Sequence, residues 1–218
     1  MGLSKSLFWK DVFKMNLPNK LTVFRIILVP IMVLIPYLNI QGDFLEIPIS
    51  WIIIDIIFII AAITDKLDGT IARKRNLITN FGKFLDPIAD KILVLGAMVM
   101  LVEMTKLPAW IPVIVLFREF VVSGYRLIAV EQGGKVIAAS IWGKIKTATQ
   151  MVAIIMMFLD KYAFAAVLNS ATRGTMNTFE IIFNSITSVL MFVSVIAAIF
   201  SGWDYIKGGK DLLKDMWC

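Results

Sequence analysis

Four aspartates stand in two pairs between residues 65 and 90. Asp65 and Asp68 are three residues apart, Asp86 and Asp90 four. Each offset puts both carboxylates on one face of a helix. Two such faces, at the ends of adjacent helices joined by a loop near residues 76–80, would converge. Oxygen donors without His or Cys select Mg²⁺, Mn²⁺ or Ca²⁺ over softer metals. Four unneutralised acids would repel one another, so bound divalent cations are physically reasonable. Two ions roughly 3.5–4 Å apart would make a clamp for phosphoryl transfer. The alternative is a solvated loop in which the acids pair with Lys66, Arg73, Lys74 and Lys83. Gly69, directly after Asp68, and Gly82, four residues before Asp86, weigh against it. Each removes a side chain from an acid-bearing face, where a ligand or a close helix could enter, although glycine is also common at ordinary membrane-helix contacts.

The rest of the composition narrows the chemistry further. The 218 residues include no His and a single Cys, the final Cys218. A Ser-His-Asp triad, a Cys-His pair, a His-ligated metal, an internal disulfide and a multi-Cys metal site are all excluded. Acid–base and metal chemistry must come from carboxylates, Lys, Arg, Tyr and hydroxyls.

The elements that must position these groups are membrane helices. Apolar residues make up 59% of the chain and charged residues 17%, with a mean hydropathy of +0.82; a soluble domain has about 45–50% and about 25%. Spans of roughly 20 mostly apolar residues are expected at 21–38, 49–64, 88–104, 108–130, 145–163 and 179–203. The second is short and contains Asp55, which predicts a longer helix that carries its polar end out of the bilayer. Backbone groups in lipid must be satisfied within each span, so the expected fold is an all-α bundle of six transmembrane helices. Residues 21–206 form one membrane domain, after a juxtamembrane segment (1–20) and before a basic tail (207–218).

Basic residues set the orientation. Lys5, Lys10, Lys14 and Lys20 precede the first span, and Lys66, Arg73, Lys74, Arg75 and Lys83 follow the second. Lys135, Lys144 and Lys146 follow the fourth, and Lys207, Lys210 and Lys214 the sixth. The other loops are poorer in cations, so both termini are expected in the cytoplasm. The formal net charge of +6 then belongs to cytoplasmic loops, and no nucleic-acid partner is expected. Leu3, Leu7, Phe8, Val12 and Phe13 recur at helical spacing among Lys5, Lys10 and Lys14, which suits an amphipathic helix lying on anionic lipid; a frayed extension before Met15 is the alternative. No small-residue cleavage site follows the first apolar run, so a retained anchor is expected. Trp9, Trp51, Trp110, Trp142, Trp203 and Trp217 fall mainly near span ends, as interfacial anchors do. Met151, Met156 and Met157 read as packing rather than as a copper site.

The stretch Asp65-Lys-Leu-Asp68-Gly69-Thr-Ile-Ala72-Arg73, then Gly82, Asp86 and Asp90, resembles the signature D-x2-D-G-x2-A-R-x8-G-x3-D-x3-D of the CDP-alcohol phosphotransferase family. Every fixed position is present. Asn16-Leu-Pro18-Asn19-Lys20-Leu-Thr22 with Arg25, Arg118-Glu119-Phe120, and Gly143-Lys144-Ile-Lys146-Thr147 resemble segments of bacterial members that use glycerol 3-phosphate. The resemblance runs from about Met15 to the tail.

The resemblance implies transfer of a phosphatidyl group from CDP-diacylglycerol to the 1-hydroxyl of sn-glycerol 3-phosphate, with release of CMP. It also implies a homodimer in the bacterial cytoplasmic membrane, bathed by membrane lipids, with its active site at the cytoplasmic face. Asp65, Asp68 and Asp86 would be the principal ligands of two Mg²⁺ or Mn²⁺ ions, with Asp90 at the metal edge and acting as general base; without His, a carboxylate is also the natural candidate for that base. Gly69, Ala72, Arg73 and Gly82 would form the nucleotide pocket, flanked by Asn19, Thr22 and Arg25. Asn19 and Thr22 could equally be helix caps. An acceptor that carries phosphate needs a cationic pocket, for which Arg118 and Lys144, then Arg126 and Lys135, are the candidates. Glu119 would orient Arg118 or simply pair with it. Two rival readings are the same chemistry on another acceptor (inositol phosphate, inositol, serine or a second phosphatidylglycerol) and a divalent-cation transporter built on the same aspartates; transport sites usually lie near the bilayer midplane.

Overall fold

The computed structural model describes residues 16–74, 80–131 and 141–208. The expected surface helix over residues 3–13, Lys135 and the tail beyond residue 208 lie outside them. The described residues are mostly helical, with six long helices: α1 (Leu17–Leu34), α2 (Ile49–Lys74), α3 (Asn80–Glu103), α4 (Trp110–Glu131), α5 (Ile141–Leu159) and α6 (Thr178–Gly208). Two stretches among them, Asn19–Leu38 and Thr178–Lys207, are long and apolar enough to cross a membrane.

The helices differ from the apolar runs at their polar ends. α2 continues ten residues past Thr64, through Asp65 and Asp68, and α3 begins eight residues ahead of Ile88. The signature aspartates therefore sit on helices rather than in a loop. α1 starts at Leu17, with Asn16 at its N-cap and Pro18 in its first turn, where a missing N–H costs nothing. Asn19 and Thr22 thus lie inside the helix and are not its caps.

The polarity of α1 is inverted relative to a soluble helix. Asn19, Thr22, Arg25, Val29 and Met32 form its buried stripe, while Phe24, Ile27, Ile31 and Leu34 are exposed. In water the apolar face would turn inward; here the polar groups turn inward and the apolar ones outward, as lipid requires.

The chain divides into two compact units, residues 1–97 and 98–218. In the first, α1 packs on α2. A small hairpin, β1 (Asp43–Phe44) and β2 (Ile47–Pro48), links them with Phe44 opposite Ile47. Gly96 of α3 allows a close approach to α1: a Cβ there would stand 3.0 Å from Val29 Cγ1. The bonded or touching pairs Thr22–Asp86, Arg25–Asp90 and Val29–Gly96 ascend both helices together, so α1 and α3 run parallel.

In the second unit α6 packs along both α5 and α4. Its start is fixed by a reciprocal capping box: Glu180 N–H donates to Asn177 Oδ1 at 2.9 Å, and Asn177 N–H donates to Glu180 Oε2 at 2.9 Å. The turn before α6 is held by buried polar groups. Lys106 Nζ donates to the carbonyls of Met157, at 3.0 Å, and Asp160. Asn184 Nδ2 donates to Asp160 Oδ2 at 2.9 Å, and Asn184 Oδ1 accepts from Val167 N–H at 3.1 Å. Irregular backbone is thereby satisfied without solvent.

Candidate active site

The first unit gathers three of the signature carboxylates around two side chains of α1. Thr22 and Arg25 are three residues apart, hence on one face, and both are buried, at 1% and 0% exposure. Thr22 Oγ1 donates to Asp86 Oδ1 at 2.6 Å. Arg25 Nη1 donates to Asp65 Oδ1 at 2.7 Å and also to Asp90 Oδ1. One nitrogen thus ties an aspartate of α2 to an aspartate of α3. The Asp65 and Asp90 side chains keep 39% and 48% exposure, so the guanidinium lies beneath them and part of each carboxylate faces outward.

Three carboxylates against one guanidinium leave a net negative charge. A cluster of oxygen donors with that charge and exposure has the chemistry of a hard divalent-cation site. Among the described residues no three such side chains are grouped closely enough to hold a metal ion. Asp68, the fourth acid, is on the helical backbone of α2, but its side chain lies outside the description; of Gly69, Ala72 and Arg73 too, only the helical backbone is described. Gly82 is buried two residues into α3, and Asn19 is 7% exposed, one turn before Thr22.

The second unit gathers cations. Arg118 of α4 donates from Nη1 to Glu119 Oε1 at 2.7 Å and from Nη2 to Ser201 Oγ of α6. Lys146 of α5, only 5% exposed, donates to the same Glu119 oxygen at 2.9 Å. Glu119 therefore holds two cations from two helices, more than a local partner of Arg118. Arg126, two turns beyond Arg118, donates from Nη2 to Tyr205 OH at 2.7 Å. The pairs 118–201 and 126–205 also ascend together, so α4 and α6 run parallel. Gly143 makes room for this cluster: a Cβ there would stand 3.1 Å from Arg118 Nη2.

Of the four residues expected at an acceptor phosphate, Arg118 and Arg126 lie on α4 with partners from α6. Lys144 is exposed on α5 and has no ion pair with a described residue, and Lys135 lies outside the description. Lys146, which sequence reasoning did not place at the phosphate, is the lysine of this segment that is buried and bonded to Glu119. Ser201 and Tyr205 were missed altogether. Their signal was a run of small and polar residues, Ser201-Gly202 and then Tyr205, at the end of the last apolar stretch.

The profile of the CDP-alcohol phosphatidyltransferase family matches residues 15–200. Over 204 residues the chain is 39% identical to the CDP-diacylglycerol–glycerol-3-phosphate 3-phosphatidyltransferase of Bacillus subtilis (strain 168), covering 91% of this chain and 97% of that one. The enzyme of the same description from Haemophilus influenzae is 35% identical over 208 residues, 93% and 97% of the two chains. That from Escherichia coli (strain K12) is 42% identical over 147 residues, 64% and 74%.

Proposed function

Because the chain belongs to the CDP-alcohol phosphatidyltransferase family, we propose that it transfers the phosphatidyl group of CDP-diacylglycerol to sn-glycerol 3-phosphate, giving phosphatidylglycerophosphate and CMP. The observation that carries this reading is the gathering of Asp65, Asp86 and Asp90, from two helices, around Thr22 and Arg25 of a third.

Asp65, Asp68, Asp86 and Asp90 would hold two Mg²⁺ or Mn²⁺ ions, which when bound would offset the charge of the pyrophosphate and of the departing CMP. Asn19, Gly69, Ala72, Arg73 and Gly82 border the nucleotide, the small residues allowing close approach and Arg73 meeting phosphate. Arg118 and Arg126, with Lys135 and Lys144, take the phosphate of the acceptor, and Lys146 supports Arg118 through their common partner Glu119. Asp90 accepts the proton of the acceptor 1-hydroxyl as its oxygen attacks the phosphorus that bears diacylglycerol. The new P–O bond forms in line with the one that breaks, and CMP leaves with the bonding pair.

The reading places six spans in a bacterial cytoplasmic membrane, with both termini and the site on the cytoplasmic side, and two copies in a homodimer. Parallel pairing of first with third helix and of fourth with sixth supports an up–down series. A lipid donor and a small anionic acceptor also meet most readily at the membrane edge.

The test is CMP release from CDP-diacylglycerol with Mg²⁺, comparing glycerol 3-phosphate, inositol phosphate, serine and glycerol. Glycerol 3-phosphate should give the highest kcat/KM, and EDTA should stop the reaction. A preference for serine would sink the acceptor assignment; no CMP release with any alcohol would sink the reaction.

A further inference from the structure

Ser201 and Tyr205 have no part in the chemistry above, yet they are among the most buried polar side chains of α6, at 0% and 1% exposure. They stand one helical turn apart, and each accepts a hydrogen bond from an arginine of α4. Arg126 is itself exposed, but its guanidinium is tethered: besides the bond to the Tyr205 hydroxyl, Cζ lies 5.5 Å from the centroid of that ring. Arg118 is held from two sides by Ser201 and Glu119. Gly202 lies beside it as well: a Cβ there would stand 3.6 Å from Arg118 Cγ, an ordinary contact.

A free surface arginine has several rotatable bonds to immobilise when it captures an anion, which weakens binding. An arginine already fixed to a buried partner has lost that freedom on folding. A phosphate dianion is read by guanidinium edges at defined positions, so the spacing of two tethered arginines selects for the anion they fit. We propose that Tyr205 and Ser201 are positioning residues for the acceptor, fixing Arg126 and Arg118 so that their remaining N–H groups meet the phosphate of the incoming alcohol. This rests on the assignment of the two arginines to that phosphate. Neither hydroxyl touches substrate; each acts through its arginine.

The test uses the full chain in lipid–detergent micelles, with CMP release followed at saturating CDP-diacylglycerol while glycerol 3-phosphate is varied. Tyr205→Phe, which keeps the ring and removes the acceptor oxygen, should raise the KM for glycerol 3-phosphate roughly tenfold. It should leave kcat and the KM for CDP-diacylglycerol within about twofold. Ser201→Ala should do the same through Arg118, and it decides the matter if Tyr205→Phe yields no folded protein. An unchanged acceptor KM in these variants, or an equal rise in the KM of both substrates, overturns the positioning role. Arg118→Met and Arg126→Met separate the two ideas. If they raise the acceptor KM while the hydroxyl variants do not, only the positioning role falls. If they too leave it unmoved, the assignment of the arginines to the acceptor falls with it.

Discussion

Arg25 donates to Asp65 at 2.7 Å across forty positions of sequence, from a side chain with no solvent exposure. A buried guanidinium beneath half-exposed carboxylates is a built-in counter-cation. It offsets part of their mutual repulsion and sets the distance between α2 and α3 at the site.

Arg25→Met should therefore release the aspartates. Because Asp65 and Asp90 keep water on their outer faces, the loss is that of charge-assisted hydrogen bonds at a partly screened site, about 2 kcal/mol. The unfolding temperature in detergent should drop, and drop further in EDTA than in Mg²⁺, since a bound cation replaces part of the missing charge. Equal drops in both media would mean that Arg25 stabilises the bundle without reference to a metal.

Asp90→Asn should reduce CMP release by at least about a hundredfold, the lower end of what general-base removal costs. Binding of CDP-diacylglycerol and of metal should survive in part, because Asn keeps the shape and one oxygen. Equilibrium binding beside a single-turnover assay distinguishes the two effects. Turnover at the parental rate would remove Asp90 from the role of base.

Asp55 predicts the opposite sign of change. It is 2% exposed within α2, and its Oδ1 accepts no hydrogen bond from any described residue. An unsatisfied buried polar atom costs about 1–3 kcal/mol. Asp55→Leu, close in volume and apolar, should raise the unfolding temperature by several degrees and leave kcat unchanged. A lower unfolding temperature would show that the carboxylate has a partner in the folded protein.

Lys106 gives a pH dependence. Burial in the turn between α3 and α4 pushes its ammonium down to about 8 from an ordinary 10.5, against the opposing pull of Asp160. Between those values the unfolded chain binds the proton that the folded chain has released, so folding becomes more favourable as pH rises from about 8 towards 10.5. Below about 8 both states are protonated and the slope vanishes. The difference in stability between the parent and Lys106→Met, measured by chemical unfolding across pH 7–10.5, should carry that slope. A flat difference would place the ammonium in water.

The donor half of the site was legible because helical offsets are fixed by geometry. Once Asp65 and Asp68, or Asp86 and Asp90, share a helix, they share a face. The cation half was harder to read. Gly143-Lys144-Ile-Lys146 offers two lysines, and only the rotation of α5 against its neighbours decides that Lys146 is buried with Gln150, Ala153 and Met157. In water an apolar stripe would have shown that rotation. In α5 apolar residues lie on both sides, buried at Ile154, Met157 and Phe158 and exposed at Ile141, Ile145 and Val152, so no such stripe marks the rotation. Helix starts suffer similarly. Asn19 has the residue type of a cap, yet Asn16 holds that place, and the capping box of Asn177-Thr-Phe-Glu180 overlaps the apolar run that begins at Phe179.

The bonds that gather Asp65, Asp86 and Asp90 around α1 all lie within the first 97 residues, inside one compact unit. A chain entering the membrane from the ribosome can therefore complete its carboxylate cluster while α4, α5 and α6 are still unmade. The acids would emerge already accompanied by Arg25, and the nascent protein would not have to hold their charge uncompensated while it waits for its second half.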